Sequence, residues 1–397
     1  MKVAEQSLQS EVIATEEKFQ VATYKKMPIL AERGEGVWLY ASDGRKYLDL
    51  YGGHAVAGTG HSHPHVVNAI REQAEKLLFY SNLVYSEARA HAAAKLVSIA
   101  PAPLSRVFFC NSGTEANENA MRMARFATGR EKIITFSGGF HGRTADAISA
   151  TFLGKYRELG KPNVPGHLEA EFGELDSVRA LASDSVAAIM LEPVQSMAGV
   201  RMAGPEFFRG LRELCDERKI VLIYDEVQTG VGRTGDWFFA GSIAGDEVVP
   251  DIITMAKALG SGIPVGACLV NERISSHIKE NDLGTTFGGG MVAVAAVKAT
   301  LEAIENDGLL TNVQQVESHL RTRLGEVAGV VGVRGLGFLL GLELVDKAAH
   351  VHKQLLEKNI ITGTSSDPNV LRLLPPLCLS KADVDLFVDT LKEIFAD

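Results

Sequence analysis

Two residues define the chemistry open to this chain. Asp225 closes the run Ile220-Val221-Leu222-Ile223-Tyr224-Asp225-Glu226, and Lys257 sits within Met255-Ala256-Lys257-Ala258-Leu259. An apolar run ending in a carboxylate reads as a buried strand that delivers the acid to the C-terminal edge of an α/β sheet. Open sheets of that kind bind ligands at this edge. Lysine usually extends from apolar surroundings toward water, so Lys257 needs a reason to be there. With its charge disfavoured, such an amine condenses with aldehydes and accepts protons.

The surrounding pattern shows what must position these groups. Strand, helix and strand alternate through the middle of the chain: strands near 107–110, 132–136, 186–191, 220–225 and 265–270, and helices near 66–78, 87–99, from about Glu115, 205–218 and 292–306. This rhythm predicts an α/β fold with a mostly parallel sheet covered by helices. Residues 1 to about 30 read as a helix and an approach segment, and 36–40 with 47–50 as a hairpin around Ser42-Asp43-Gly44-Arg45. Residues 155–174 are polar and irregular, which predicts a surface excursion. Beyond about 310 the pattern changes to a smaller α+β unit. The expected organisation is an N-terminal segment 1–55 packed with the small domain, a large cofactor-binding domain 56–300 and a small domain 301–397.

Three further stretches could bind something. Asn111-Ser112-Gly113-Thr114 joins a strand to a helix, and the free amides at such a helix start can cradle a phosphate. An ordinary capped turn is the plain alternative. Gly138 to Thr144 sets Phe140, His141 and Arg143 in a glycine-rich loop, where a ring could stack on a planar ligand and Arg143 could hold a carboxylate. Loop packing and a solvated charge are the corresponding alternatives. His61, His63 and His65 alternate as metal ligands on a strand would, but Pro64 argues against a strand, and a cap before the next helix is the favoured reading.

Composition narrows the function classes. The chain has 397 residues, 46% hydrophobic, enough for a sizeable core and more than one domain. A formal charge of -9 gives no reason to expect nucleic acid or an anionic membrane as a partner. Glu5, Glu11, Glu16 and Glu17 stand where an apolar signal segment would, and apolar runs such as 291–297 are too short to span a bilayer. The 4 cysteines are scattered and read as buried thiols, with no metal cluster among them, so a reducing cytoplasm is expected.

An acid on a strand edge and an aldehyde-condensing lysine together point to a pyridoxal phosphate site. The motifs then match a family. Gly60-His61-Ser62-His63-Pro64, Asn111-Ser112-Gly113-Thr114-Glu115-Ala116-Asn117, Phe140-His141-Gly142-Arg143-Thr144, Asp225-Glu226-Val227-Gln228-Thr229-Gly230, Ala256-Lys257, Thr286-Phe287-Gly288-Gly289 and Leu371-Arg372-Leu373-Leu374-Pro375-Pro376 occur in register. From about residue 25 the chain resembles the class III aminotransferases of pyridoxal phosphate fold type I, nearest to their acetylornithine aminotransferase branch.

The resemblance implies a role for each position. Lys257 holds the cofactor covalently and moves the proton, and Asp225 pairs with the ring nitrogen. Val227 and Phe140 flank the ring, with His141 close by. Gln228 reaches the phenolic oxygen, and Ser112, Gly113 and Thr114 bind the phosphate. Thr286 reaches the phosphate of a neighbouring subunit, which implies a homodimer with shared sites, with a tetramer as the larger assembly. Asn111 and Glu192 lie near the site, as ligands or as scaffold. On the substrate side the resemblance implies Arg143 at a distal carboxylate, Arg372 at the carboxylate beside the reacting carbon, and contributions from Met197, His54 and Tyr85. Two arginines fit glutamate and 2-oxoglutarate.

Departures from the family pattern bear on the donor. Met197 replaces a glutamate that would neutralise Arg372, which counts against an ω-amine donor and points to an α-amino donor. His54 stands where relatives carry tyrosine or an aliphatic residue, and Gly290-Met291 replaces Asn-Pro. Other chemistries on the same cofactor, namely racemisation, decarboxylation, aminomutation or ω-amine:pyruvate transfer, remain open at this level. A non-catalytic protein on the same scaffold is disfavoured by the presence of both Lys257 and Asp225.

Overall fold

The computed structural model describes residues 2–242 and 248–396. Its centre is a seven-stranded sheet built from β1 (Leu104–Cys110), β2 (Lys132–Phe136), β3 (His167–Ala170), β4 (Val186–Leu191), β5 (Val221–Asp225), β6 (Ile252–Met255) and β7 (Gly266–Asn271), in the spatial order β1-β7-β6-β5-β4-β2-β3. β3, β2, β4, β5 and β6 pair in parallel, whereas β7 runs antiparallel to both of its neighbours. β1 therefore points the same way as the parallel set, and the mostly parallel sheet expected from the sequence carries one reversed strand.

The strand sequences explain their depth. β4 and β5 are buried along their whole length, as near-continuous apolar runs between two helical layers must be. With β1, β2, β4, β5 and β6 aligned, the turns after Cys110, Phe136, Leu191, Asp225 and Met255 all emerge at one edge. That edge carries Ser112, Phe140, Glu192, Asp225 and Lys257.

The segment 155–174 departs from its expected irregularity. It contains β3, the outer strand of the main sheet, preceded by a short helix Lys155–Leu159. His167 is buried there and meets Asp146 at 2.6 Å, an acid that Arg125 also holds at 2.7 Å. A four-residue edge strand buried only at its first and last residues has no period-two alternation to stand out from polar sequence.

A second sheet joins Val330–Leu336, Leu339–Leu344, Val370–Leu373 and Gly363–Thr364, all antiparallel. A third joins Ala31–Glu35, Trp38–Ala41 and Lys46–Asp49 with Ile360–Ile361, so both ends of the chain share one sheet. Arg233, fully buried, donates to the carbonyls of Phe338 at 3.3 Å and of Pro375. The three alternating histidines turn to three different acids: His61 to Asp49 at 2.8 Å, His63 to Asp307 at 2.9 Å and His65 to Glu302 at 2.9 Å. Among the described residues no helix is long and apolar enough to cross a membrane.

Candidate active site

Asp225 ends β5 in a nearly dry position, where an unsatisfied carboxylate would be costly. Its Oδ2 accepts from Asn117 Nδ2 at 2.7 Å and meets His141 Nδ1 at 2.8 Å, and its Oδ1 accepts the Val227 amide at 3.1 Å. Asn117 is fixed in turn, because it donates to the His141 carbonyl at 2.7 Å and accepts from Thr254 Oγ1 at 2.6 Å. The carboxylate thus places the histidine proton on Nδ1, and His141 Nε2 is buried with no hydrogen-bond partner. Neither Asn117 nor Thr254 was given a role from sequence. The available signal was an asparagine on the small-residue face of a helix, between Ala116 and Ala120.

Lys257 follows β6 and opens a 3₁₀ turn, Lys257–Gly260. Its φ is +43°, left-handed backbone that a residue with a Cβ adopts only under constraint. Desolvation pushes the amine below the ordinary lysine range; Asp225 and Glu192 oppose that shift, while Arg372 and Arg233 add to it. Glu192 is buried and accepts the Phe140 amide at 2.8 Å. Burial, reinforced by Asp225, raises its carboxyl to about 7.

The helix Gly113–Thr128 starts directly behind these groups. Ser112 caps it by accepting the Glu115 amide at 3.3 Å, and the first-turn amides form the kind of N-terminus that attracts anions. Packing demands glycine at 113: an added Cβ would come within 2.8 Å of Val227. Thr114 Oγ1 lies 2.6 Å from Thr144 Oγ1. Asn111 donates to Glu115 at 2.9 Å and to Thr285 at 2.9 Å, which ties the start of this helix to the 284–290 loop. Val227, Gln228 and Phe140 are partly buried at the same edge.

On the other side stands Arg372, which is buried. It donates through Nε to the Thr364 carbonyl at 2.7 Å, through Nη1 to Ser196 Oγ at 3.0 Å and through Nη2 to the Tyr51 hydroxyl at 2.7 Å. All three acceptors are neutral, and among the described residues no Asp or Glu forms an ion pair with this guanidinium. Tyr51, Ser196 and Thr364 were not singled out from sequence, because three distant segments supply them. Met197 follows Ser196, is partly buried, and accepts the Ser366 amide on its carbonyl at 2.9 Å. His54 lies 4.8 Å from the Tyr51 ring. Desolvation by the surrounding protein, reinforced by Arg372, Lys257 and Arg143, pushes the imidazole below the ordinary histidine range. Arg143 is exposed. Thr286 and Tyr85 are exposed as well, outside this cluster.

A seven-stranded mixed sheet with a lysine and a carboxylate at its binding edge, beside a smaller domain, is the fold type I architecture of pyridoxal phosphate-dependent aminotransferases. Residues 19–395 match the family Aminotransferase class-III, and the chain belongs to that family. It is similar to the acetylornithine aminotransferase of Methanocaldococcus jannaschii, at 39% identity over 97% of this chain and 98% of that one. The acetylornithine aminotransferase of Archaeoglobus fulgidus is 41% identical over 95% of this chain and 98% of its own length. Among solved structures, the ornithine aminotransferase of Toxoplasma gondii superposes with a TM-score of 0.91 at 26% identity, covering 98% of this chain and 94% of its own. The acetylornithine aminotransferase of Elizabethkingia anophelis gives 0.84 at 28% identity, covering 98% of this chain and 99% of its own.

Proposed function

We propose that this aminotransferase carries pyridoxal phosphate on Lys257 and moves an amino group between an α-amino acid and an α-keto acid, with glutamate and 2-oxoglutarate as one pair. The residues fit the cofactor. Lys257 is an amine whose charge is disfavoured, Asp225 is a rigid carboxylate, and the helix Gly113–Thr128 offers a capped N-terminus of the kind that binds phosphate. Bound pyridoxal phosphate supplies an electron sink for the pair released at the substrate α-carbon.

The side chains do the rest. Lys257 takes the α-proton and returns it, as an amine whose charge is disfavoured by burial can. Asp225 would face the ring nitrogen and favour its protonated form, and Asn117 and His141 hold the carboxylate in orientation. Phe140 and Val227 would flank the ring, Gln228 would reach its phenolic oxygen, and Ser112, Gly113 and Thr114 would hold the phosphate. Arg372 orients the α-carboxylate and Arg143 a distal one.

One observation carries the choice of donor: among the described residues, Arg372 is buried against neutral acceptors alone. A buried guanidinium gains most from a carboxylate, and here the substrate's own α-carboxylate is the available one. A terminal-amine donor would place methylenes there. An amino-donor panel with 2-oxoglutarate and with pyruvate as acceptors tests this. Turnover confined to terminal amines would overturn it.

The proposed assembly is a homodimer, in which Thr286 and Tyr85 reach the partner's site. Leu78, Leu83 and Tyr85 are 66%, 89% and 106% exposed in the single chain, and Phe287, at 65%, packs on Phe79 at 5.1 Å. An apolar patch of this kind beside Thr286 is suited to burial against a second copy. The proposed boundaries remain 1–55, 56–300 and 301–397. Four free cysteines suit a reducing cytoplasm.

A further inference from the structure

Arg233 lies in the loop that follows Asp225, and it is 1% exposed. Its Nη1 donates to the carbonyls of Phe338, at 3.3 Å, and of Pro375, while Nε and Nη2 are buried with no hydrogen-bond partner. Among the described residues no Asp or Glu forms an ion pair with this guanidinium, and desolvation pushes it below the ordinary arginine range. Taking a guanidinium out of water is costly, and two neutral carbonyls offset only part of that cost. An apolar residue of similar volume would sit there with less penalty, so packing alone does not call for an arginine.

The two carbonyls give the reason. Phe338 leads into the strand Leu339–Leu344, and Pro375 lies just past the strand Val370–Leu373. These strands pair antiparallel with Gly341 opposite Arg372, so one nitrogen grips two neighbouring strand ends of the second sheet. The backbone marks the same junction. The Phe338 amide donates to the Arg233 carbonyl at 2.8 Å, and Gly337, at a φ of +59°, leaves no room there for a Cβ. Arg372 hangs on the gripped strand, and Asp225 heads the loop that does the gripping. A shift of a binding group by about 1 Å can cost up to roughly a hundredfold in rate. We infer that Arg233 is a positioning residue that fixes Arg372 relative to Asp225 and Lys257, and so governs capture of the substrate's α-carboxylate without touching substrate or cofactor. The inference rests on the proposed assignment of Arg372 to that carboxylate.

The test compares the wild-type holoenzyme with Arg233→Met and Arg233→Lys. Single-turnover spectra of the bound cofactor give second-order rate constants for glutamate and for 4-aminobutyrate, the amine that remains when glutamate loses its α-carboxylate. Arg233→Met keeps the bulk and removes the grip. Its rate constant for glutamate should fall about tenfold or more, while that for 4-aminobutyrate stays within about twofold of wild type. Titration of the cofactor-free protein with pyridoxal phosphate should give wild-type affinity. Arg233→Lys keeps the charge on a shorter reach and should show the same selective fall at about two- to fivefold, which decides the matter if the methionine variant does not fold. Equal falls for the two donors, or a matching loss of cofactor affinity, would reduce Arg233 to a support of the fold and overturn the inference. An unchanged rate with glutamate overturns it as well. A wild-type enzyme with no preference for glutamate over 4-aminobutyrate overturns the assignment of Arg372 and this inference together.

Discussion

Asp225→Asn exchanges one atom and reverses part of a hydrogen-bond network. Oδ2 takes donors from Asn117 and His141 at 2.7 and 2.8 Å, and Oδ1 takes the Val227 amide at 3.1 Å. With its NH₂ on the Oδ1 side, the new amide points a donor at the Val227 N–H. With its NH₂ on the Oδ2 side, it meets the Asn117 NH₂, and His141 must move its proton to Nε2, a buried atom with no partner. Each hydrogen bond lost to a charged group costs about 1.5–3 kcal/mol. The larger effect falls on the cofactor, since removing one buried charged partner typically costs about 3–5 kcal/mol. If the transition state feels that loss, kcat falls by roughly two to three and a half orders of magnitude. Absorbance titration with pyridoxal phosphate, followed by steady-state rates at saturating cofactor, measures both terms. Weakened but detectable cofactor binding with a collapsed kcat is expected. A variant with an unchanged spectrum and near wild-type turnover would refute the assignment of Asp225.

Other perturbations reach other parts of the site. Lys257→Ala should lose the borohydride-trappable cofactor adduct and nearly all turnover, as read by mass spectrometry and rate; normal turnover would exclude Lys257 as the attachment point. Asn117→Ala leaves Asp225 with one fewer donor and strands Thr254, so kcat should drop about tenfold with KM little changed, consistent with one charge-assisted hydrogen bond; an effect on KM alone would argue against a role through Asp225. Glu226 is buried, with Oε1 unpartnered, and burial raises its carboxyl from 4.5 to about 7. The folded state therefore holds a proton that the unfolded state releases, so stability should decline as pH rises from 4.5 toward and past 7. Glu192 contributes a decline of the same sign, so Glu226→Gln should flatten the pH dependence of thermal unfolding only in part; an unaltered profile would contradict the reading. Light scattering should find a dimer or larger, and a fully active monomer would remove Thr286 and Tyr85 from the site.

The strand-edge logic was legible because β4 and β5 are continuous apolar runs and their closing acids break them sharply. The same reading missed β3, four residues long at the sheet edge, where His167 and Ala170 are buried on opposite faces and no alternation results. Lys257 was legible from its apolar neighbours, but its left-handed backbone was not, since that conformation comes from the chain packed around it. The partners of Asp225 and Arg372 were the hardest to see. Asn117, Thr254, Tyr51, Ser196 and Thr364 are ordinary polar residues until the fold brings them within 3.0 Å of a buried charge or of one another.

The claim that Arg372 awaits the substrate's α-carboxylate is most directly tested by the ratio of kcat/KM for glutamate to that for N-acetylornithine, measured in wild type and in Met197→Glu. Wild type should favour glutamate, because among the described residues its buried guanidinium has only neutral partners. A glutamate at 197 adds the missing charge beside Ser196 and should shift the ratio toward N-acetylornithine by about tenfold or more, the scale of one charge-assisted pair. A wild-type enzyme that strongly favours N-acetylornithine, or a ratio that Met197→Glu leaves unmoved, would contradict it.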